Sequence, residues 1–228
     1  MNFLPFKRNR ISNNVIFMCW TDETPMSEAR KQCFDQFKSI CGCNVVLITP
    51  ENLNRYILKD HPLHEGYQYL SALHKSDYLR IYLMHFYGGG YSDVKRTAGD
   101  WNSAFQDLLN HPTKIINGYH EHDEGAIAYL PHKPFWKVLL GNGAFIARKN
   151  TELTQALYNA LLELMDSKIE ELRKFPAKVF NDTKDRGSGT GYPLCHAEVM
   201  GNNFHRGSLP FIDKFLYTVP FPLCYAYK

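Results

Sequence analysis

Residues 15–49 read VIFMCWTDETPMSEARKQCFDQFKSICGCNVVLIT, and this stretch decides the fold. Val15 to Trp20 is an apolar run rich in strand formers, and Thr21-Asp22-Glu23-Thr24-Pro25 after it has turn and helix-start chemistry. Between residues 26 and 40 the apolar side chains Ala29, Cys33, Phe34, Phe37 and Ile40 recur at helical spacing. Gly42 stops that helix before a second strand, Val45 to Thr49. A β-α-β opening requires a right-handed crossover and a parallel pair, and it makes the carboxyl ends of the strands the favoured ligand site. Trp20 stands at one of those ends.

Working outward, Leu70, Leu73, Leu79, Leu83 and Phe86 keep a spacing of three and four residues, which predicts a helix from about Tyr67 to Tyr87, ended by Gly88-Gly89-Gly90. Tyr91 to Val94 reads as a short strand or extended turn, and Trp101 to Leu109 as a short helix. Strands are expected at 114–117, 126–130 and 144–147, with a long helix from Glu152 to Arg173. Thr183 to Gly191, TKDRGSGTG, is a polar glycine-rich loop of the kind that is more often a connector than a lid. Its Gly187-Ser188-Gly189 mimics a hydrolase nucleophile elbow, but the spacing is wrong and no strand precedes it. No repeat, heptad run or low-complexity tail is visible.

The 228 residues suit one α/β domain. A content of 44% hydrophobic and 21% charged residues leaves no room for an extended disordered tail. A net charge of +3 is too small for the many phosphate contacts of a dedicated nucleic-acid binder. The start, MNFLPFKRNR, has no signal-peptide core, and no stretch approaches the roughly 20 apolar residues of a membrane span. A soluble, cytoplasmic chain is therefore expected. The six cysteines, at 19, 33, 41, 43, 195 and 224, match neither a zinc knuckle nor a disulfide framework, so reduced thiols are expected; Cys41-Gly42-Cys43 is one residue short of the redox spacing. A Rossmann dehydrogenase is disfavoured, because Thr21-Asp22-Glu23-Thr24-Pro25 stands where Gly-x-Gly-x-x-Gly would follow the first strand.

The chemistry concentrates in Ser76-Asp77-Tyr78-Leu79-Arg80 and in Phe86-Tyr87-Gly88-Gly89-Gly90-Tyr91-Ser92-Asp93-Val94-Lys95. Asp77 and Arg80 are i,i+3 neighbours that pair with each other or jointly face a ligand. The triple glycine lets the backbone turn sharply and delivers Asp93 beyond the helix end. A departing nucleoside diphosphate gathers negative charge, which calls for cations, a carboxylate-held metal or backbone donors. Taken singly, each group has a plainer explanation: a surface salt bridge, a helix cap, a solvated turn residue.

In this order, Ser-Asp-x-x-Arg followed by Tyr-Gly-Gly-x-Tyr-x-Asp-x resembles the sugar-binding-region glycosyltransferases, which include the capsular polysaccharide synthesis and yeast-type mannosyltransferase enzymes. The match runs from Ser76 to Lys95, with looser support from Trp20 and from Gly141 to Ala147. The resemblance implies a single GT-A domain over 1–228 with a mixed, mainly parallel sheet, the donor-binding half near 1–98 and the acceptor side near 99–228. It implies transfer of a hexose, with retention, from a UDP- or GDP-sugar to a glycan, polysaccharide or glycoprotein acceptor; membrane proximity would come only through the acceptor. By the same resemblance Trp20 stacks on the base, Asp77, Arg80, Tyr91 and Asn142 hold the donor, and Asp93 is the first carboxylate of an Asp-x-Asp metal motif.

Lys95 replaces the second carboxylate. Either Asp93 still binds Mn²⁺ or Mg²⁺ with help from elsewhere, such as His205, or Lys95 supplies the positive charge itself as a catalytic ammonium. The broken motif also leaves open a non-catalytic nucleotide-sugar or glycan-binding module. Glu198, expected on a short helix, and the run His120-Glu121-His122-Asp123-Glu124, expected in a polar hairpin loop, are secondary candidates for the acceptor side.

Overall fold

In the computed structural model of the chain, which describes residues 14–186 and 189–223, the opening unit folds as its pattern requires. Strand β1 (Val15–Cys19) is followed by helix α1 (Glu28–Ile40) and strand β2 (Asn44–Ile48), with β1 and β2 parallel. Ser27 accepts a hydrogen bond from the Arg30 amide at 3.3 Å, so α1 begins two residues later than its apolar pattern suggests. Ile16 and Met18 point to one face of β1, into a cluster with Phe37 and Trp101. Phe17 and Cys19 point to the other, among Tyr78, Leu79 and Tyr82. Burial on both faces is what a continuous apolar run without alternation predicts.

Helix α2 (Ala72–Phe86) starts later than residue 67, because Leu70 is extended and the Ser71 side chain caps the His74 amide. Residues 65–69 form a 3-10 turn instead. From Asp77 to His85 every residue of α2 is buried, so Asp77 and Arg80 lie inside the fold rather than on a solvated face. Gly88 and Gly89 then take φ of +67° and +87°. A Cβ on Gly89 would stand 2.8 Å from the Val15 carbonyl oxygen, so a residue with a side chain would push the next strand away from β1.

Strand β3 (Gly89–Ser92) lies parallel to β1 and is followed by β4 (Arg96–Thr97), helix α3 (Asn102–Asn110), β5 (Ile116–Asn117) and β6 (Ala144–Ala147). Helix α4 (Glu152–Lys174), α5 (Gly201–Ser208), β7 (Phe215–Leu216) and β8 (Pro222–Leu223) complete the described elements. Among the described residues six strands form one mixed, mainly parallel sheet in the order β2-β1-β3-β6-β5-β7, with β6 alone running the other way. β4 pairs with β8 in a separate ribbon. Helices α2 and α4 pack together over one face and α3 contacts β5 and β6, giving the layered α/β arrangement that the opening pattern implies.

The strand expected at 126–130 does not form. The Asp123 carboxylate accepts the Ala126 amide at 3.0 Å and closes a 3-10 turn there, and Pro131 and Pro134 hold Leu130–Val138 in a second 3-10 run. Glu198 is not on a helix either: its carboxylate accepts the Cys195 amide at 2.8 Å and closes a turn. Cys19, Cys41, Cys43 and Cys195 are free thiols, and Cys224 lies outside the described residues, as do Gly187 and Ser188 of the glycine-rich loop. No described helix is long and apolar enough to cross a membrane.

Candidate functional site

Three parallel strands, β2, β1 and β3, end on the same edge of the sheet, and the site is built there. Asp93 follows β3, and its amide donates to the Gly143 carbonyl at 2.8 Å in the turn before β6. The antiparallel seating of β6 against β3 thus brings Asn142 to Arg80 of α2 and Gly143 to Asp93. A Cβ on Gly143 would stand 3.2 Å from Asp93 Oδ2, a tight contact from which the carboxylate would have to withdraw by a few tenths of an ångström.

Arg80 is the hub. One terminal nitrogen donates to the Asn142 carbonyl at 2.6 Å, and the other meets Asp93 Oδ1 at 2.8 Å and Asp77 Oδ1 at 3.1 Å. Its guanidinium also lies 4.3 Å from the centre of the Tyr91 ring, while the Tyr91 hydroxyl donates to Asp93 Oδ1 at 3.3 Å. Lys95 Nζ sits 3.1 Å from Asp93 Oδ2. The side chains of Asp93 and Lys95 are 24% and 20% exposed, against 12% for Asp77 and 7% for Arg80, so the first two are the more accessible to solvent and the last two are the more covered. Asp77, Arg80, Tyr91, Asp93, Lys95 and the Asn142 backbone form one cluster.

One guanidinium serves two carboxylates, and they divide it unequally. Burial pushes the Asp77 carboxyl up to about 7; the attraction of Arg80 at 3.1 Å opposes this, and the negative charge of Asp93 adds to it. Burial also works against Asp93 ionisation, but Arg80 and then Lys95 outweigh it and hold that carboxyl below its ordinary value. The linkage has a definite sign. Between 3.8 and about 7 the folded Asp77 holds a proton that the unfolded chain has lost, so its contribution to stability falls as pH rises through that window. Asp77→Asn, which keeps the shape without the charge, is expected to flatten that decline and to melt a few degrees higher than the native chain at pH 8, by roughly 1 kcal/mol. Melting curves from pH 4 to 8 check this, and a variant profile parallel to the native one would contradict it.

On the same edge of the sheet a cavity of about 160 Å³ opens at the carboxyl ends of β1 and β2, lined by Thr21, Glu23, Thr49, Pro50, Tyr67 and Lys75 among others and by no side chain of the cluster. Thr21 ties its wall to α2, donating to the Ala72 carbonyl at 2.5 Å and lying 3.2 Å from the Ser76 hydroxyl. Strand-end position alone pointed to this place, but not to Tyr67, which carries no motif. Trp20 does not line the cavity: its indole N–H donates to the Thr24 carbonyl at 2.8 Å, and its ring lies 5.7 Å from that of Phe180. Another void, about 10 Å³ and apolar, lies between α2, β6 and α4 and is a packing gap with room for one water at most.

His205 does not join the cluster. It is fully buried on α5, with Nδ1 accepting the Ala128 amide at 3.0 Å and Nε2 3.5 Å from Glu121 Oε1. That pairing also accounts for the buried Glu121 of the acidic run, whose neighbour His120 stacks on Tyr217 at 4.0 Å. Among the described residues no group of three or more His, Cys, Asp or Glu side chains is arranged to hold a metal ion. Each oxygen of Asp93 is already paired with a cation, whereas Mg²⁺ or Mn²⁺ requires several uncontested oxygen ligands. The residues present do not fit a divalent ion.

No curated protein matches the chain. Among solved structures, the PaToxG glycosyltransferase is similar with a TM-score of 0.48 and 14% identity, over 88% of this chain and 69% of that one. Residues 2–95, less than half of the chain but including Asp77, Arg80, Asp93 and Lys95, match the family described as capsular polysaccharide synthesis protein.

Proposed function

We propose that this chain is a glycosyltransferase of the GT-A type, transferring a hexose with retention from a nucleoside-diphosphate sugar to a glycan or polysaccharide acceptor. The observation that carries the proposal is the half-buried Asp93–Lys95 pair at the strand ends, held by Arg80, on the same strand-end edge as the 160 Å³ cavity. The nucleoside occupies that cavity, with Tyr67 and Thr21 at its walls in place of Trp20. The diphosphate runs from there toward Lys95, and the sugar hydroxyls meet the Asp93 carboxylate, which stays ionised. Arg80, almost fully covered, acts through Asp93 as a positioning residue. The acceptor enters from the side of Asn142.

Transfer breaks the bond between the anomeric carbon and the β-phosphate oxygen, whose electron pair stays on the phosphate. The acceptor oxygen forms the new bond, and its proton leaves with the diphosphate. The test incubates the purified chain with a panel of UDP- and GDP-hexoses and follows nucleoside diphosphate release. Saturable release from one donor is the expected result; no turnover and no binding across the panel would end the proposal. Lys95 in place of a second carboxylate favours one other outcome, a module that binds a nucleotide sugar without turnover, and binding measured beside release separates the two.

A further inference from the structure

The turn that carries Lys95 is fastened from three sides. Arg30 of α1 donates to the Val94 carbonyl at 2.8 Å, and Gln36 brackets Thr97 with two 3.0 Å hydrogen bonds, one to its carbonyl and one from its amide. The Lys95 amide donates to the Asp93 carbonyl at 2.7 Å, and from Arg96 onward the backbone pairs with β8. A lysine on an ordinary surface loop would be long, mobile and solvated; this one is aimed, with its ammonium 3.1 Å from Asp93 Oδ2 and its side chain only 20% exposed. The carboxylate it meets has no uncontested oxygen, because Arg80 holds Oδ1.

From that geometry we infer that the chain manages the diphosphate of its donor without a divalent cation, with the Lys95 ammonium supplying the charge at the β-phosphate. This rests on the transferase assignment above. In the cluster Arg80 and Lys95 carry two positive charges against Asp93, with Asp77 partly protonated near neutrality, so the local balance favours an anion. When the anomeric C–O bond breaks, the electron pair passes to the β-phosphate oxygen beside the ammonium. Lys95 keeps its proton throughout; the acceptor's proton goes to the released diphosphate. The role of Asp93 is to hold the sugar and to orient Lys95.

The experiment uses the full chain and nucleoside diphosphates, UDP and GDP, titrated calorimetrically in EDTA and again in Mn²⁺. Mn²⁺ alone is titrated in parallel by its electron-spin-resonance signal. The expected result is binding in EDTA, changed less than about twofold by Mn²⁺, with no Mn²⁺ site on the free protein. Lys95→Ala should weaken binding in EDTA by about 10- to 100-fold, the size of a lost charge-assisted contact, and Lys95→Arg should restore most of it. Lys95→Asp, which completes an Asp-x-Asp pattern, should make binding depend on Mn²⁺. Binding of the native chain only in Mn²⁺, or unaltered binding by Lys95→Ala, overturns the inference and leaves the transferase assignment standing. No nucleotide binding under either condition removes both.

Discussion

Arg80→Met is expected to lower the unfolding free energy by about 3–5 kcal/mol, the cost of leaving buried charge without its partner. For a chain of this length that corresponds to roughly a 10 °C fall in melting temperature. The physical reason is that one guanidinium holds two carboxylates, Asp77 and Asp93, while donating to the Asn142 carbonyl and covering the Tyr91 ring. Methionine fills the volume but satisfies none of these groups. Lysine would not rescue it, since a single ammonium lacks the planar fork that reaches three oxygens at once. Without Arg80 both carboxyls lose the attraction that favours their ionised forms, so the deficit should be largest above neutral pH and shrink in acid, where both are protonated. Denaturant titrations at pH 5 and pH 8 measure it. A loss under about 1 kcal/mol at both pH values would mean that the cluster does not hold β3, α2 and the turn before β6 together.

Asp93→Asn is expected to act on turnover rather than on the fold, cutting nucleoside-diphosphate release from the donor by about 10³-fold. The amide keeps the shape of the side chain and an oxygen for Arg80, but the charge that meets the sugar and orients Lys95 is gone. The change should also reach Asp77. With Asp93 neutral, the guanidinium at 3.1 Å belongs to Asp77 alone, and the carboxyl that burial had pushed up to about 7 should fall toward the ordinary range. Carboxyl-carbon NMR of Asp77 across pH 3–8, beside the turnover assay, reads both effects. Turnover within tenfold of the native chain would remove Asp93 from the chemistry. A lost activity with an unmoved Asp77 titration would show that the two carboxylates are not competing for one cation.

Much of this site is legible without coordinates because its parts are local. The i,i+3 spacing of Asp77 and Arg80 needs only a helix, and Gly88 and Gly89 need only the steric freedom that a positive φ demands. The same holds for β1, α1, β2, β6 and α4, whose apolar periods match the observed elements within a residue or two at most ends. Where the pattern misled, a short-range competitor won. At 126–130 an aspartate cap and two prolines outbid strand propensity, and at 67–71 the Ser71 cap delayed α2.

By itself the sequence determined the β-α-β opening, the helix that carries Asp77 and Arg80, and the glycine turn that sends Asp93 past the strand end; the burial of that helix came from packing. Tertiary structure alone decided which groups meet. It placed β6 antiparallel between β3 and β5, so that the turn at 142–143 closes on Arg80 and Asp93; it turned Trp20 toward Phe180 and matched His205 with Glu121. The reason is one of range. Propensity and periodicity register neighbours within one helical turn or one pleat, whereas these partners come from segments far apart in sequence that meet only when the elements pack, which no local spacing encodes.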